Sequence, residues 1–163
     1  MINFGDELFI NVKDEAELVT EYLWLEHCRF QDKFDYEILV APEARNAAIL
    51  PLLTHSLVEE ALYKGVLSLA NGHKGKLCIE FATGHDTLVV KVTDNGISRA
   101  DAARLDKKKG MMNGDDAMLL RRIDLFNAQG KRKITSSKTV GQENGTLLNS
   151  ATLEIPQPLF DTN

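Results

Sequence analysis

The sequence predicts an α+β fold, a two-layer α/β sandwich in which helices cover one face of a mixed, mostly antiparallel sheet. Three observations lead there. Apolar residues recur at helical spacing around Leu18–Cys28, Leu53–Lys64 and Met118–Phe126. Short alternating runs come in pairs, separated by turns at Gly84-His85-Asp86 and Gly141–Gly145, which marks hairpins. The elements follow in the order α, β, α, ββ, loop, α, ββ. Strands joined mostly by hairpins pair antiparallel, and the helices then gather on one side of the sheet.

Each element has a local reason. Residues 1–12 are mixed and suit a short strand or an arm. Asp14 is placed to cap a helix, with Glu17 closing a capping box, and Leu18, Tyr22, Leu25 and Cys28 carry that helix over 14–30. Phe34, Tyr36, Ile38 and Val40 alternate, giving a strand that ends before Pro42. Pro51 suits the first turn of a second helix with Leu53, Leu57, Ala61 and Lys64 along one stripe. Gly65 interrupts or ends it; a longer alternative extends it over 66–70 to Asn71-Gly72. A hairpin of Lys76–Thr83 and Thr87–Thr93 follows, then a polar stretch, 97–113, that reads as a short helix and a mobile loop. A third helix carries Met118, Leu119, Arg122, Ile123 and Phe126, and a last hairpin pairs Lys131–Ser137 with Leu147–Ile155. The tail after Pro156 is expected to fray. The expected division is 1–30 for arm and lead-in helix, 31–156 for the main domain and 157–163 for the tail.

Composition bounds the function. A chain of 163 residues is enough for one domain with a sizeable core. Its formal net charge of -5 argues against nucleic acid as the main partner. No apolar run reaches the roughly 18 residues that span a bilayer. Met1-Ile2-Asn3-Phe4 lacks the basic start and apolar stretch of a signal peptide. Cys28 and Cys78 fall in a helix and a strand and are expected to be buried thiols. There is no Cys/His metal spacing, no Walker-type loop and no nucleophile elbow.

The most informative stretch is Val89-Val90-Lys91-Val92-Thr93-Asp94-Asn95-Gly96, an alternating strand that ends on a carboxylate followed by a glycine turn. Upstream lies Leu57-Val58-Glu59-Glu60-Ala61-Leu62-Tyr63-Lys64-Gly65, an amphipathic helix carrying acids and a cation. An acid at a strand end accepts a hydrogen bond from an exocyclic amine such as that of adenine. A glycine behind it lets the backbone approach a ligand closely. The alternative for Asp94 is local: an Asx side chain also caps its own turn.

Four stretches resemble the GHKL ATP-binding domain, most closely that of LytS/YehU-type sensor histidine kinases. Glu21-Tyr22-Leu23-Trp24-Leu25-Glu26-His27-Cys28-Arg29-Phe30 is similar to the "YLELEKLRF" lead-in. Residues 52–65 resemble the "LLLQPLVENAIKHG" N-box, and Val92-Thr93-Asp94-Asn95-Gly96-Ile97 resembles the "V-x-DNGIG" glycine box. Gly145-Thr146 with Ala151–Pro156 resembles the closing "GGT…IP" segment. Together they span about residues 11–156. The resemblance implies ATP or ADP with magnesium as ligands. Asp94 and Gly96 would read the base, Glu60 would hold magnesium, and Lys64 and Thr146 would contact phosphates, with Gly145 beside Thr146 in the cofactor site; Gly145-Thr146 also suits a plain strand entry. Glu59 is either a water-activating base or one more solvated helix charge.

The departures from the family pattern bear on activity. Glu60 stands where the family has the metal-holding asparagine, and its full charge would face a triphosphate. Tyr63 replaces a lysine, and the surviving cation, Lys64, is one position later, a turn of about 100° on a helix. Ser98 replaces a glycine, and the lid's "GxGLxN" box is reduced to Asn113-Gly114-Asp115-Asp116-Ala117-Met118, whose two aspartates repel an anion. Lys107-Lys108-Lys109 is a solvated charge run or a lid over phosphates. The resemblance places the phospho-acceptor histidine in a helical segment before residue 1. His27 does not replace it, and His55, His73 and His85 have no acid–base partner evident in the sequence.

Two main readings follow. The first is a histidine kinase ATP-binding domain, impaired, that transfers a phosphoryl group to a histidine on a neighbouring helical domain. The second is a catalytically inactive, pseudokinase-like module that dimerises or docks a response regulator. A serine kinase of the anti-sigma-factor kind is a weaker third, resting on fold analogy. The resemblance places the domain in the cytosol, its parent kinases being commonly membrane-anchored.

Overall fold

A computed structural model describes the backbone of residues 9–109 and 114–159 and the side chains of 9–105 and 117–159. The sheet has five strands in the order β2-β4-β5-β7-β6: β2 (Phe34–Val40), β4 (Gly75–Gly84), β5 (Thr87–Asp94), β6 (Thr135–Glu143) and β7 (Thr146–Pro156). Only β2 and β4 run parallel; every other pair in this sheet is antiparallel. The parallel pair needs a long crossover, which is supplied by the helical segment between these strands. The remaining strands, β1 (Ile10–Asn11) and β3 (Ala48–Ile49), form a small antiparallel pair beside the first helix.

Strand alternation sets the two layers. Leu77, Ile79 and Phe81 of β4, Leu88, Val90 and Val92 of β5, and Ala151, Leu153 and Ile155 of β7 are buried on one face. They meet Val12, Val19 and Leu23 of α1 (Val12–Phe30), Leu53, Leu57 and Val58 of α2 (Leu53–Glu60), and Leu119 and Ile123 of α4 (Gly114–Gln129) in one core. This is the predicted two-layer α+β architecture.

The helix ends differ from expectation, for physical reasons. Asn11, not Asp14, caps α1: its side chain accepts the Asp14 N–H at 2.9 Å, which places Asp14 inside the first turn. Pro51 lies before α2 rather than in its first turn, because Leu52 intervenes in a left-handed conformation at φ 61. With no side-chain cap of its own, α2 takes one from α1. The fully buried Glu15 carboxylate accepts the backbone N–H groups of Leu52 and Thr54, both at 3.0 Å. An acid at a helix N-terminus satisfies orphan donors and complements the helix dipole. Past Glu60 the helix widens into a π turn, Ala61–Gly65, and tightens into a 3-10 turn, Val66–Ser68, so it ends earlier than the longer alternative.

The polar stretch after β5 does contain a helix, α3 (Arg99–Lys109), which Ser98 and Asp101 start by reciprocal hydrogen bonds. The expected loop at 110–113 lies outside the described residues. Asn127 clasps Ile134 from both sides, donating to its carbonyl and accepting its N–H, so β6 begins at Thr135 rather than at Lys131. The tail is not frayed as far as Leu159. The Gln157 amide pairs with both backbone groups of Ala48, and Leu159 is buried. The expectation of buried thiols fails for Cys28, which is exposed, and Cys78 is only half-buried.

The Glu15 cap yields a test. Glu15→Ala leaves the buried Thr54 N–H and the part-buried Leu52 N–H without an acceptor and should cost about 2 kcal/mol, read as a lower urea midpoint. A loss below about 1 kcal/mol would show that water replaces the cap.

Candidate functional site

The end of β5 delivers Asp94 to the core face of the sheet, directly opposite Leu77 on β4 and Asn149 on β7. The π turn after α2 presses against the same point. A Cβ on Gly96 would lie 2.1 Å from the carbonyl carbon of Gly65, and one on Gly65 would lie 2.6 Å from Asp94 Oδ1. The Ile97 N–H donates to the Gly65 carbonyl at 3.3 Å. Glycine is required at Gly96 because its backbone touches that of Gly65, a close approach that glycine alone permits, and at Gly65 because the held Asp94 carboxylate and Arg99 guanidinium fill the space a side chain would need.

Asp94 is buried, and its carboxylate is already engaged. Oδ1 accepts the Gly96 N–H at 2.9 Å and the Asn149 amide at 3.0 Å; Oδ2 accepts Arg99 Nη2 at 2.9 Å. Asn149 also donates to the carbonyls of Gly96 and Ile97, at 3.3 and 3.0 Å. Both the turn-capping role and a bridging role are therefore filled within the chain. Glu60, also buried, lies on the other side of Arg99, with Arg99 Nε 3.4 Å from Oε1. Lys138 Nζ, from β6, reaches both oxygens of Glu60 at 2.9 Å. The result is a continuous network, Asp94–Arg99–Glu60–Lys138, that ties the end of β5, the start of α3, the end of α2 and β6 together. Two buried carboxylates are matched by two cations, which is the arrangement that makes their burial tolerable.

The other predicted site residues are distributed less tightly. Glu59 is more exposed and sits 3.5 Å from His55 Nε2 one turn earlier, giving that histidine the acidic neighbour not evident in the sequence. Lys64 is half-buried on the π turn beside Gly65. Tyr63 donates its hydroxyl to Glu26 at 2.6 Å. Partial burial, followed by that hydrogen bond, raises its pKa to about 12. Gly145 (φ 78) and Asn144 (φ 49) form the two-residue turn between β6 and β7, a conformation that favours Asn-Gly. Thr146 starts β7 and lines an open cleft of about 520 Å³ with Asp35, Glu37, Cys78 and Asn95. Burial, and then the charges of Glu80 and Glu37, push the Cys78 thiol up from its ordinary pKa. Thus Asp94, Gly96 and Glu60 converge, and Asp94 also lines the cleft that Thr146 lines, whereas Glu59 faces His55. Of the stretch expected to stand at the lid, Asn113 and the side chains of Asp115 and Asp116 lie outside the described residues, as do the side chains of Lys107–Lys109.

Sequence reasoning missed Arg99, Lys138 and Asn149. A signal existed for the first two: two acids assigned to one partly dry pocket require cations, and Arg99 follows the glycine box closely. Asn149 becomes visible only through strand register, which pairs it with Asp94.

No family model matches the chain, and no curated protein matches it. Solved structures do. A nucleotide-free catalytic domain of histidine kinase ThkA matches with a TM-score of 0.55 at 16% identity, over 91% of this chain and 94% of that one. Histidine kinase AdeS of Acinetobacter baumannii gives 0.55 at 17%, over 92% and 66%. A blue-light-activated histidine kinase domain of Erythrobacter litoralis gives 0.53 at 12%, over 87% and 60%. The chain spans less than two thirds of the latter two structures. At these identities the likeness shows the fold: that of a histidine kinase catalytic domain.

The network predicts unequal costs. Arg99→Met strips Asp94 and Glu60 of a shared cation and should destabilise by about 3 kcal/mol. Lys138→Met removes a more exposed partner while Arg99 stays, and should cost about 1 kcal/mol. Urea unfolding of both variants decides it, and the reverse ranking would mean that Lys138 is the principal counter-ion.

Proposed function

We propose that this domain is a non-catalytic module of histidine-kinase type, using the fold to bind protein partners in signal transduction. The observation that carries the reading is the engagement of Asp94. The carboxylate that would read the adenine amine already holds Arg99, Asn149 and the Gly96 amide. The second acid, Glu60, which would hold magnesium, faces two cations instead. A magnesium ion would have to displace both and sit beside their charges, so these residues do not fit a nucleotide–magnesium complex in this arrangement. The partners that the LytS/YehU resemblance suggests are a response regulator, a histidine-bearing helical domain and a second copy of the chain. The cytosol is the compartment it suggests. Among the described residues no helix is long and apolar enough to cross a membrane.

The competing reading is an impaired ATP-binding domain that serves phosphoryl transfer to that helical domain. It is favoured by the convergence of Asp94, Gly96 and Glu60 at one end of the sheet. It requires Arg99 to leave Asp94 before adenine can bind, and Glu59, Lys64, Gly145 and Thr146 to act as the resemblance implies.

Thermal unfolding with ATP or ADP, with and without magnesium, separates the two. A ligand that binds only the folded chain at a hundredfold excess over Kd stabilises by about 2.7 kcal/mol. The expected outcome is no rise in Tm at millimolar nucleotide. A rise that needs magnesium would overturn the proposal and return Glu60 to the metal.

A further inference from the structure

The missing side chain at Gly65 opens a space beside Asp94, and another residue of the chain fills it. A Cβ on Gly65 would lie 2.6 Å from Asp94 Oδ1 and 3.0 Å from Arg99 Nη1, so the guanidinium rests against the glycine. Asp94 Oδ1 already holds the Gly96 N–H and the Asn149 amide. Arg99 Nη2 donates to the other oxygen, Oδ2, at 2.9 Å. An N–H donor on that oxygen is what the amine of an amino-heterocycle would supply. The guanidinium thus makes, from within the chain, the contact that such a ligand would make from solution.

The fit is incomplete. Arg99 Nη1 and Asn149 Oδ1 are buried without a hydrogen-bond partner among the described residues. A buried donor or acceptor left unpaired costs its desolvation in full, which offsets part of what the Arg99–Asp94 bond contributes. Arg99 also has a way out. Its side chain is 22% exposed, whereas that of Asp94 is fully buried. Departure needs only rotation of the side chain, because the backbone on either side is held by the Ile97 N–H on the Gly65 carbonyl and by the Ser98–Asp101 pair. Glu60 keeps Lys138 at 2.9 Å when Arg99 leaves, and Asp94 keeps both bonds to Oδ1, so neither acid is left without a donor.

We propose that Arg99 is an internal ligand, a reversible latch that holds the Asp94 site closed to amino-bearing heterocycles. Such a role rests on the non-catalytic reading of Asp94 and identifies the group that shuts the site. Closure is a competition for one carboxylate oxygen. The apparent affinity of an outside ligand falls by the fraction of molecules in which Arg99 has let go. With Arg99 released, Asp94 Oδ2 and Asn149 Oδ1 are both acceptors in want of a donor, so the open site selects an amine over a carbonyl. One side chain shuts the site; the backbone that would carry a ligand is intact.

The test is calorimetric titration of the whole chain with adenosine, which carries the amine but no phosphate and so needs no magnesium. The wild-type chain should show no binding at millimolar adenosine. Arg99→Ala should bind it, a gain of about tenfold or more. Methylguanidinium should compete with adenosine for that variant, because both address Asp94 Oδ2. Inosine, with a carbonyl in place of the amine, should not bind. Arg99→Lys keeps a cation beside the two acids without the fork that spans them, and serves if Arg99→Ala does not fold; it too should bind adenosine where the wild type does not. Folded variants that take up no adenosine overturn the latch and leave the non-catalytic reading standing. Equal binding of inosine, or wild-type binding of adenosine as tight as that of the variants, overturns the latch as well. Magnesium-dependent ATP binding by the wild type overturns both, since Arg99 would then bar nothing.

Discussion

A carboxylate withdrawn from water must find donors within the chain, and this requirement organises the molecule. Glu15, Glu60 and Asp94 are the buried acids among the described residues. Each joins elements that packing alone would leave free to slide. Glu15 fixes where α2 begins relative to α1. Asp94 and Asn149 bind the end of β5 to β7 across the sheet. Glu60 binds the end of α2 to β6 through Lys138, and Arg99 connects both ends to α3. Apolar burial is non-directional, whereas these contacts have direction, so they select one register of helices over sheet.

The fold was largely legible in the sequence, because period and turn chemistry are local properties. Alternation at Phe34–Val40 and the Asn144-Gly145 turn state their conformation without help from the rest of the chain. What was hidden depended on distant residues. A helix that opens on left-handed Leu52 has no start signal of its own, since its cap comes from Glu15 on another helix. The tail looked free because the partner of Gln157, Ala48, is remote in sequence. Similarly, the candidate site was half legible. The strand-end acid and the two close-packed glycines carry a visible pattern, but a helical alignment of Glu60 could not reveal that a lysine from β6 would reach it.

Fold and chemistry separate at this site. The backbone features that bring a helix and a strand end together, Gly65 against Gly96, are present. The two carboxylates that meet there are satisfied, whereas Arg99 Nη1 and Asn149 Oδ1 are buried with no hydrogen-bond partner among the described residues. A pocket built to receive a charged ligand normally keeps an imbalance of charge for that ligand to correct; here the two acids and two bases of the described network already balance. Glu60 belongs to that network, while Tyr63 turns to Glu26 and Ser98 to Asp101.

The outermost strand carries a further consequence. Every residue of β6 is exposed, its outer edge has no strand partner among the described residues, and it is held to the helical layer by Lys138 on Glu60. Cooperative stability is not uniform in such a sheet. Amide hydrogen exchange should be slowest at the centre of β5, which has a paired strand on each side and a fully buried row beneath it, and should quicken through β7 to β6. The hairpin that holds Gly145 and Thr146 would then open to solvent many times for each global unfolding. The C-terminal region would behave as a loosely tethered flap on an otherwise rigid plate.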